Sequence, residues 1–518
     1  MLREFRNEPY VDFSQPEPRR RMEEALAYVE SQLGKEYSLI IGNEHITTDA
    51  KITSIAPSDK NKVIGIFSKA DKELANKAVE TAYETFQTWK NVDPIVRARY
   101  LLKGAAEMRR RIYEFSAWMV YEEGKNWLEA YADTAEAIDF LEFYAREMMR
   151  LAAPQPLTPI ETEENDLQYI PLGVFAVIPP WNFPLAIMAG MTTAAVVSGN
   201  TVVLKPASTA PAVARVFVDM MINDCSLPPG VINFCPGSGG EMGDTIVAHP
   251  KTRGIAFTGS KEVGLHIHEL AAKTQPGQIW IKRTILEMGG KDAILVDNNV
   301  DTDEAAAGIV ASAFGFQGQK CSACSRAIVH QDVYDEVLEK VVAKAKELTV
   351  GHAKDNPNMA AVIDENAYNN ILNYIEIGKG EGRLMCGGEP AKVEGYDGFY
   401  IQPTVIADVD PQATIAQEEI FGPVLAFIKA NDFKHGLEIV NNTEFGLTGA
   451  VYSKNREHLE LARREFHVGN LYFNRKCTGA LVGSQPFGGF NMSGTDSKAG
   501  GRDYLLLFTQ AKLISERL

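Results

Sequence analysis

The sequence predicts an α/β protein built from two units, each a mostly parallel sheet covered by helices. Three observations lead there. From about residue 170 to residue 297, short apolar runs alternate with turn signals and helical stretches. After Ala305 a second alternating series begins and continues to about residue 474. A chain of 518 residues that is 45% hydrophobic also holds enough apolar material for more than one core. Such alternation implies parallel strands joined by crossover helices, an architecture that binds ligands beyond the strand carboxyl ends.

Up to about residue 150 the pattern is helical. Ala75, Val79, Ala82, Phe86 and Trp89 recur at spacings of four and three, which makes one apolar helix stripe. The stretch from Glu129 to Arg150 carries a similar pattern. SLIIGNEHI breaks at Gly42-Asn43 as a hairpin does. Then GVFAVI reads as a strand, with a loop and a helix beginning near Pro184. TVVLKP is the next strand, followed by a helix after Pro211. VINFCPG leads into a helix near Gly240, and GIAFTGS into one running from Lys261. TILEMGG and AILVD are further apolar strands. In the second series, helical AAAGIVASAF precedes strand-like RAIVH and the helix DVYDEVLEKVVAKAKEL. PTVIADV, PVLAFIKA, GAVYS and GNLYFN follow as strands. The tail from Asp496 to Leu518 is too short for a domain and is expected to pack on another part of the molecule.

Composition excludes several roles. Lysine and arginine number 52 against 68 aspartates and glutamates, a formal charge of −16 that repels phosphate backbones and anionic lipid heads. No nucleic-acid or membrane partner is expected. Leu167 to Leu204 holds no charged residue and is long enough on paper to span a bilayer. Pro179, Pro180, Asn182 and Pro184 break it, so a buried strand, a functional loop and a buried helix fit better. The first residues lack an apolar leader core and contain acids. The six cysteines form no disulfide framework, which fits a reducing compartment, and a cytoplasmic location is expected.

Several residues could carry chemistry. Cys321, in FGFQGQKCSACSR, sits among glycine and small polar residues, and Lys320 could lower its pKa. Read alone, it could equally be a small buried apolar residue. Cys321 and Cys324 form a C-x-x-C, but neither a thioredoxin-like helix start nor a second pair for zinc is present, and no metal site is expected. Glu287, in TILEMGGK, stands at a strand end where desolvation makes a carboxylate a better base, although a structural salt bridge would explain it too. Asn182, in PPWNFP, could donate its amide to a developing oxyanion or serve only as turn chemistry. In FTGSKEVG, Gly259 permits a tight turn and Ser260 opens a helix whose amides could face an anion. Lys205 closes TVVLKP at a strand end, placed for ribose hydroxyls.

Taken in order, PWNFP, KPAS, FTGS, LEMGGK, GQKCSA and EEIFGP resemble the aldehyde dehydrogenase superfamily, from about residue 37 to the C-terminus. The resemblance implies an aldehyde dehydrogenase-like fold. Residues 1–150 and 171–285 would form a Rossmann-type NAD-binding domain with an N-terminal helical part, and 286–480 a second α/β catalytic domain. Residues 151–170 and 496–518 would form a small oligomerisation element. It implies a homo-oligomer, either a dimer or an assembly of dimers such as a hexamer. Cys321 would be the nucleophile, Asn182 the oxyanion donor and Glu287 the base that activates hydrolytic water. Lys205, Gly259, Ser260, Glu419 and Phe421 would hold NAD. Ser208 stands where many NAD-preferring relatives carry glutamate, so some NADP use is expected.

YVDFS with the following helix, DFLEFYAREM, GQKCSACSR, NLYFNRKCTGALVG and PFGGFNMSGTDSKAGG resemble the branch of the superfamily that oxidises L-glutamate γ-semialdehyde to glutamate in proline and arginine breakdown. That implies Ser322, Gly479 and Ala480 as anchors for a substrate carboxylate. Phe183 and Phe487 would flank the aliphatic chain, with Glu142 near the site. A dehydrogenase for another semialdehyde, such as succinate semialdehyde, and a noncatalytic relative are the competing readings. Intact Asn182, Glu287 and Cys321 speak against the latter.

Overall fold

Why these segments become these elements follows from caps, stripes and turns. The helix Lys72–Trp89 buries Ala75, Ala78, Val79, Ala82, Phe86 and Trp89, and the Asp71 carboxylate caps it by accepting from the Leu74 N–H at 2.9 Å. Helices Pro94–Arg110, Ile112–Glu122 and Trp127–Leu151 follow, each starting where a cap, a proline or a turn allows. Trp127–Leu151 is buried along most of its length, as a helix sandwiched between two layers must be. This computed structural model describes residues 3–518, so the first two positions of the expected first domain lie outside the described residues.

Two seven-stranded sheets organise the rest. The first runs Arg283–Glu287, Thr252–Thr258, Val174–Ile178, Thr201–Leu204 and Ile232–Phe234, all parallel; the hairpin Leu39–Ile41 and Glu44–Ile46 extends it antiparallel. Strand order reverses at Val174–Ile178. The next strand in sequence lies on one side of it, and Thr252–Thr258 lies on the other. Crossover chains therefore leave in opposite directions and open a crevice at the carboxyl ends of this pair. The second sheet runs Arg383–Cys386, Thr404–Ala407, Val424–Ala430, Arg326–His330, Ala293–Val296, Thr448–Tyr452 and Asn470–Phe473. Only the first of these is antiparallel.

Strands Val174–Ile178 and Thr201–Leu204 are buried on both faces, as is the helix Ala186–Val197 between them. The uncharged stretch is thus interior sheet and helix, and among the described residues no helix is long and apolar enough to cross a membrane. Glu163–Pro171 pairs antiparallel with Thr509–Arg517 in a ribbon that is exposed along nearly all of its second strand.

The structure departs from the sequence reading in three places. Residues 35–68, read as part of a helical region around one hairpin, contain a three-stranded sheet of Lys35–Tyr37, Asp59–Ser68 and Lys51–Ala56. Its strands are interrupted by the turn after Ala56 and by irregular register, so no clean alternation marks them. Near Gly240 the backbone makes a π-helical turn, Gly239–Gly243, before the short helix Asp244–Ala248. The first sheet continues through Glu287, so the chain changes sheets across Met288–Asp292 and not after Ile285.

Candidate active site

That change of sheet positions the chemistry. Glu287 is the last residue of an edge strand, in register with Thr258, and its carbonyl accepts from the Gly259 N–H at 3.1 Å. Two glycines follow because nothing larger fits. A Cβ on Gly289 would lie 2.2 Å from Glu419 Oε2, and one on Gly290 would lie 2.5 Å from the Cys321 carbonyl oxygen. The Gly290 N–H donates to Glu419 Oε1 at 2.9 Å. LEMGGK, EEIFGP and GQKCSA, far apart in sequence, are therefore in contact through this glycine pair.

The nucleophile loop is unusual backbone. Phe316 (φ 48°), Gln317 (φ 55°) and Gly318 (φ 69°) are all left-handed, a conformation that costs non-glycine residues energy and persists only when surroundings impose it. Here Gln317 donates through Nε2 to the carbonyls of Gly124 and Ala361 at 3.1 and 2.9 Å, and Phe316 is buried. Asn182 Nδ2 donates to the Gln319 carbonyl at 3.0 Å, which joins the PWNFP loop to the residues before Cys321. One amide hydrogen suffices for that bond, so a second remains for an oxyanion.

Cys321 is partly open to a cavity of about 530 Å³ beyond the crevice of the first sheet. Asn182, Lys205, Gly259, Ser260, Glu419 and Phe421 line it too, so the structure brings these residues together. Ser208 is exposed just beyond the lining residue Ala207. Burial and the carboxylates of Asp292, Glu419 and Glu287 push the Cys321 thiol well above its usual range. The expectation that Lys320 lowers it meets a different arrangement: the Lys320 ammonium is taken by both Glu129 oxygens at 2.7 Å. Cys324 is buried, and its thiol donates to the Arg326 carbonyl at 3.5 Å.

Burial pushes the Glu287 carboxyl up to about 8, against hydrogen bonds from Ser497 and from the Gly489 and Ser497 backbone. Its Oε1 accepts from the Ser497 hydroxyl, while Oε2 is buried without a partner. The Lys205 ammonium is buried with one long contact, to the Pro206 carbonyl at 3.5 Å, and desolvation lowers it to about 8. Glu419 is likewise raised to about 7 by burial. The cavity thus carries a buried cation and a helix start at Ser260, whose hydroxyl accepts from the Val263 N–H, and a buried carboxylate at Glu419. Trp181 and Phe421 meet edge to face at 5.5 Å in its wall. This donor set fits a ligand that carries both an anionic bridge and sugar hydroxyls.

The expected carboxylate anchors cluster near the nucleophile but outside that cavity. Cys477, two residues before Gly479, donates its thiol to the Ser322 carbonyl at 3.4 Å. Phe183 lies under the Lys125 ammonium at 4.1 Å, and Phe487 pairs through its backbone with Ala499. Glu142 is engaged elsewhere: Arg146 pairs with it, and Arg109 Nη2 lies 3.4 Å away. Sequence reading missed a different stripe of the same helix. Glu129, Asp133 and Glu136, spaced four and three, share one face turned toward Lys125 and Lys320. Glu136 is raised to about 8 by burial and by Asp133 and Asp139. Glu142 is six residues further on, roughly a third of a turn off that face. The acidic spacing was the available signal.

Fold and site together define an aldehyde dehydrogenase: the Aldehyde dehydrogenase family model matches residues 45–514, and the chain belongs to that family. Among curated proteins it is 61% identical, over the full length of both chains, to 1-pyrroline-5-carboxylate dehydrogenase of Geobacillus sp. (strain WCH70). It is 60% identical, again over both full lengths, to the protein of that name from Geobacillus thermodenitrificans (strain NG80-2). A solved 1-pyrroline-5-carboxylate dehydrogenase from Thermus with bound NAD superposes with a TM-score of 0.98 at 52% identity, covering 100% of both chains. Proline utilization A from Bdellovibrio bacteriovorus matches at 44% identity and a TM-score of 0.97, covering 99% of this chain and 53% of that one.

Proposed function

We propose that this protein oxidises L-glutamate γ-semialdehyde, the open-chain form of 1-pyrroline-5-carboxylate, to L-glutamate with NAD as electron acceptor, in the breakdown of proline and arginine. Aldehyde, water and NAD give carboxylate, NADH and protons. The observation that carries this reading is the contact of Glu287, Glu419 and Cys321 segments through Gly289 and Gly290, beside the Asn182 amide.

NAD would be held by Lys205 and the Gly259–Ser260 helix start on one side and by Glu419, with Phe421 beside it, on the other; bound there, it supplies the hydride acceptor. Ser208 adds no charge against a 2′-phosphate, so some NADP use follows. The Cys321 sulfur attacks the aldehyde carbon, and the oxyanion so formed receives the free Asn182 N–H and the Cys321 backbone N–H. The thioester left after loss of hydride is hydrolysed by water whose proton goes to Glu287 Oε2, the oxygen with no partner of its own. Asp292, Glu419 and Glu287 all bear on the raised Cys321 thiol, and Glu287 serves as its base as well.

At the other end of the substrate, the α-carboxylate would be met by Ser322 and the Gly479 and Ala480 backbone, with Phe183 and Phe487 along the chain. Glu142, expected near the site, is committed to Arg109 and Arg146, and Glu136 of the same helix would be the acid that receives the ammonium group. The ribbon of Glu163–Pro171 with Thr509–Arg517 leaves Leu513 60% exposed, and an isolated two-stranded ribbon is marginal in water. This supports a homo-oligomer, at least a dimer; light scattering at the monomer mass of 57.0 kDa would refute it. Six unpaired cysteines fit a cytoplasmic setting.

The test is kcat/KM for glutamate γ-semialdehyde, succinate semialdehyde and propanal. Leaving polar anchors unpaired should disfavour the latter two by at least about a hundredfold. Equal use of succinate semialdehyde would defeat the substrate assignment.

A further inference from the structure

Beside the nucleophile loop, the turn after Asn470–Phe473 has a feature that the reaction as described leaves unused. Arg475 bends its guanidinium back on its own chain. Nη2 donates to the carbonyls of Thr478 and Gly479 at 2.6 and 3.2 Å, and Nε donates to the Lys476 carbonyl at 3.1 Å. The group also lies 4.3 Å over the Tyr472 ring, which fixes its plane. In a trans peptide the C=O and N–H point in opposite directions. Drawing the carbonyls of 478 and 479 to one guanidinium therefore turns the N–H groups of Gly479 and Ala480 away from it, toward the same side. Successive N–H groups converge in this way when a left-handed residue stands among them, and Gly479 has φ 77°. Among the described residues neither N–H meets an acceptor. A side chain at 479 would be strained by that φ, and its Cβ would stand 3.4 Å from Lys476 Cε.

We propose that Arg475 is a positioning residue for substrate selection: by holding the carbonyls of Thr478 and Gly479 it preforms a two-amide nest at Gly479 and Ala480 that receives the α-carboxylate of the substrate. The proposal rests on the reading of Gly479 and Ala480 as the carboxylate anchor, and adds the device that orients them. Arg475 does not touch the reacting atoms, so its removal acts on capture of the charged end and leaves the chemistry at Cys321 intact. A guanidinium presents several N–H groups in one fixed plane, and an ammonium is a point charge without that fork.

The experiment compares wild type, Arg475→Ala and Arg475→Lys on glutamate γ-semialdehyde and on propanal, which lacks the carboxylate, with L-glutamate binding measured by calorimetry. Loss of the preformed nest should raise KM for glutamate γ-semialdehyde about tenfold in Arg475→Ala, with kcat within about twofold. L-Glutamate should bind about tenfold more weakly, and kcat/KM for propanal should not change, which also certifies the folded enzyme. Arg475→Lys should resemble the alanine variant more than the wild type. An unchanged ratio of the two substrates in Arg475→Ala would overturn the positioning role, and so would wild-type behaviour of Arg475→Lys, which would make net charge sufficient. Wild type showing no preference for glutamate γ-semialdehyde over propanal would instead bring down the anchor itself, and the proposal with it.

Discussion

Replacing Glu287 by glutamine separates the two halves of the reaction. The carboxyl is buried, one oxygen accepts from Ser497 and the other has no partner, and burial holds it at about 8. Glutamine keeps the size and the Ser497 contact but cannot take a proton from water. Positioned general bases contribute about 10²- to 10⁴-fold, which corresponds to roughly 3–5 kcal/mol at the barrier. Hydrolysis of the thioester should slow by that factor, while the oxidative step should lose less and recover as pH rises, because the glutamine removes one of the carboxylates that raise the thiol. Stopped-flow absorbance of NADH should then show a burst of about one equivalent per active site, followed by a slow steady state. The pH dependence has a defined sign. Wild-type kcat should rise as pH increases toward about 8 and level off above it, because the proposed base acts in its ionised form. The glutamine variant should lack that limb. A variant that turns over within about threefold of wild type, with no burst and the same profile, would refute the assignment of Glu287 as base.

Three further outcomes follow from named contacts. Asn182→Ala removes an oxyanion donor and should lower kcat about 10²- to 10³-fold with little change in NAD affinity by fluorescence titration; equal losses in both would point to a collapsed loop. Gly289→Ala drives a Cβ to 2.2 Å from Glu419 Oε2 and must displace that carboxylate. KM for NAD should rise about tenfold or more, the cost of one charge-assisted hydrogen bond, in initial-rate assays. Lys125 and Asp133 form a fully buried pair at 2.6 Å, and Asp133 Oδ1 also accepts from the Ala186 N–H at 2.6 Å. Lys125→Met strands that carboxylate and should cost about 3–5 kcal/mol in chemical denaturation; no change would mean that the pair is idle.

Much of this was readable from residues alone, for identifiable reasons. The strands of both sheets announce themselves because they are buried on both faces, so GVFAVI, TVVLKP and AILVD are continuous apolar runs ended by glycine, proline or a charge. Residues 51–68 were not readable, because a half-exposed sheet with register shifts dilutes the alternation. Motif order made Cys321, Glu287 and Asn182 legible. Their environment was not: Lys320 is next to Cys321 in sequence, yet its charge is consumed by Glu129, a residue 191 positions away. Glu136 and Arg475 were missed for the same reason. One acts from a helix face and the other through backbone carbonyls, and neither relation is local in the pattern of residue types.

In the proposed reaction the Cys321 sulfur carries the substrate through oxidation. The most direct measurement is NADH formation from glutamate γ-semialdehyde by Cys321→Ala, alongside its NAD affinity by calorimetry. We expect no turnover above background with NAD binding within about threefold of wild type, since Lys205, Ser260 and Glu419 are untouched. Near-native NADH formation by that variant would contradict the account.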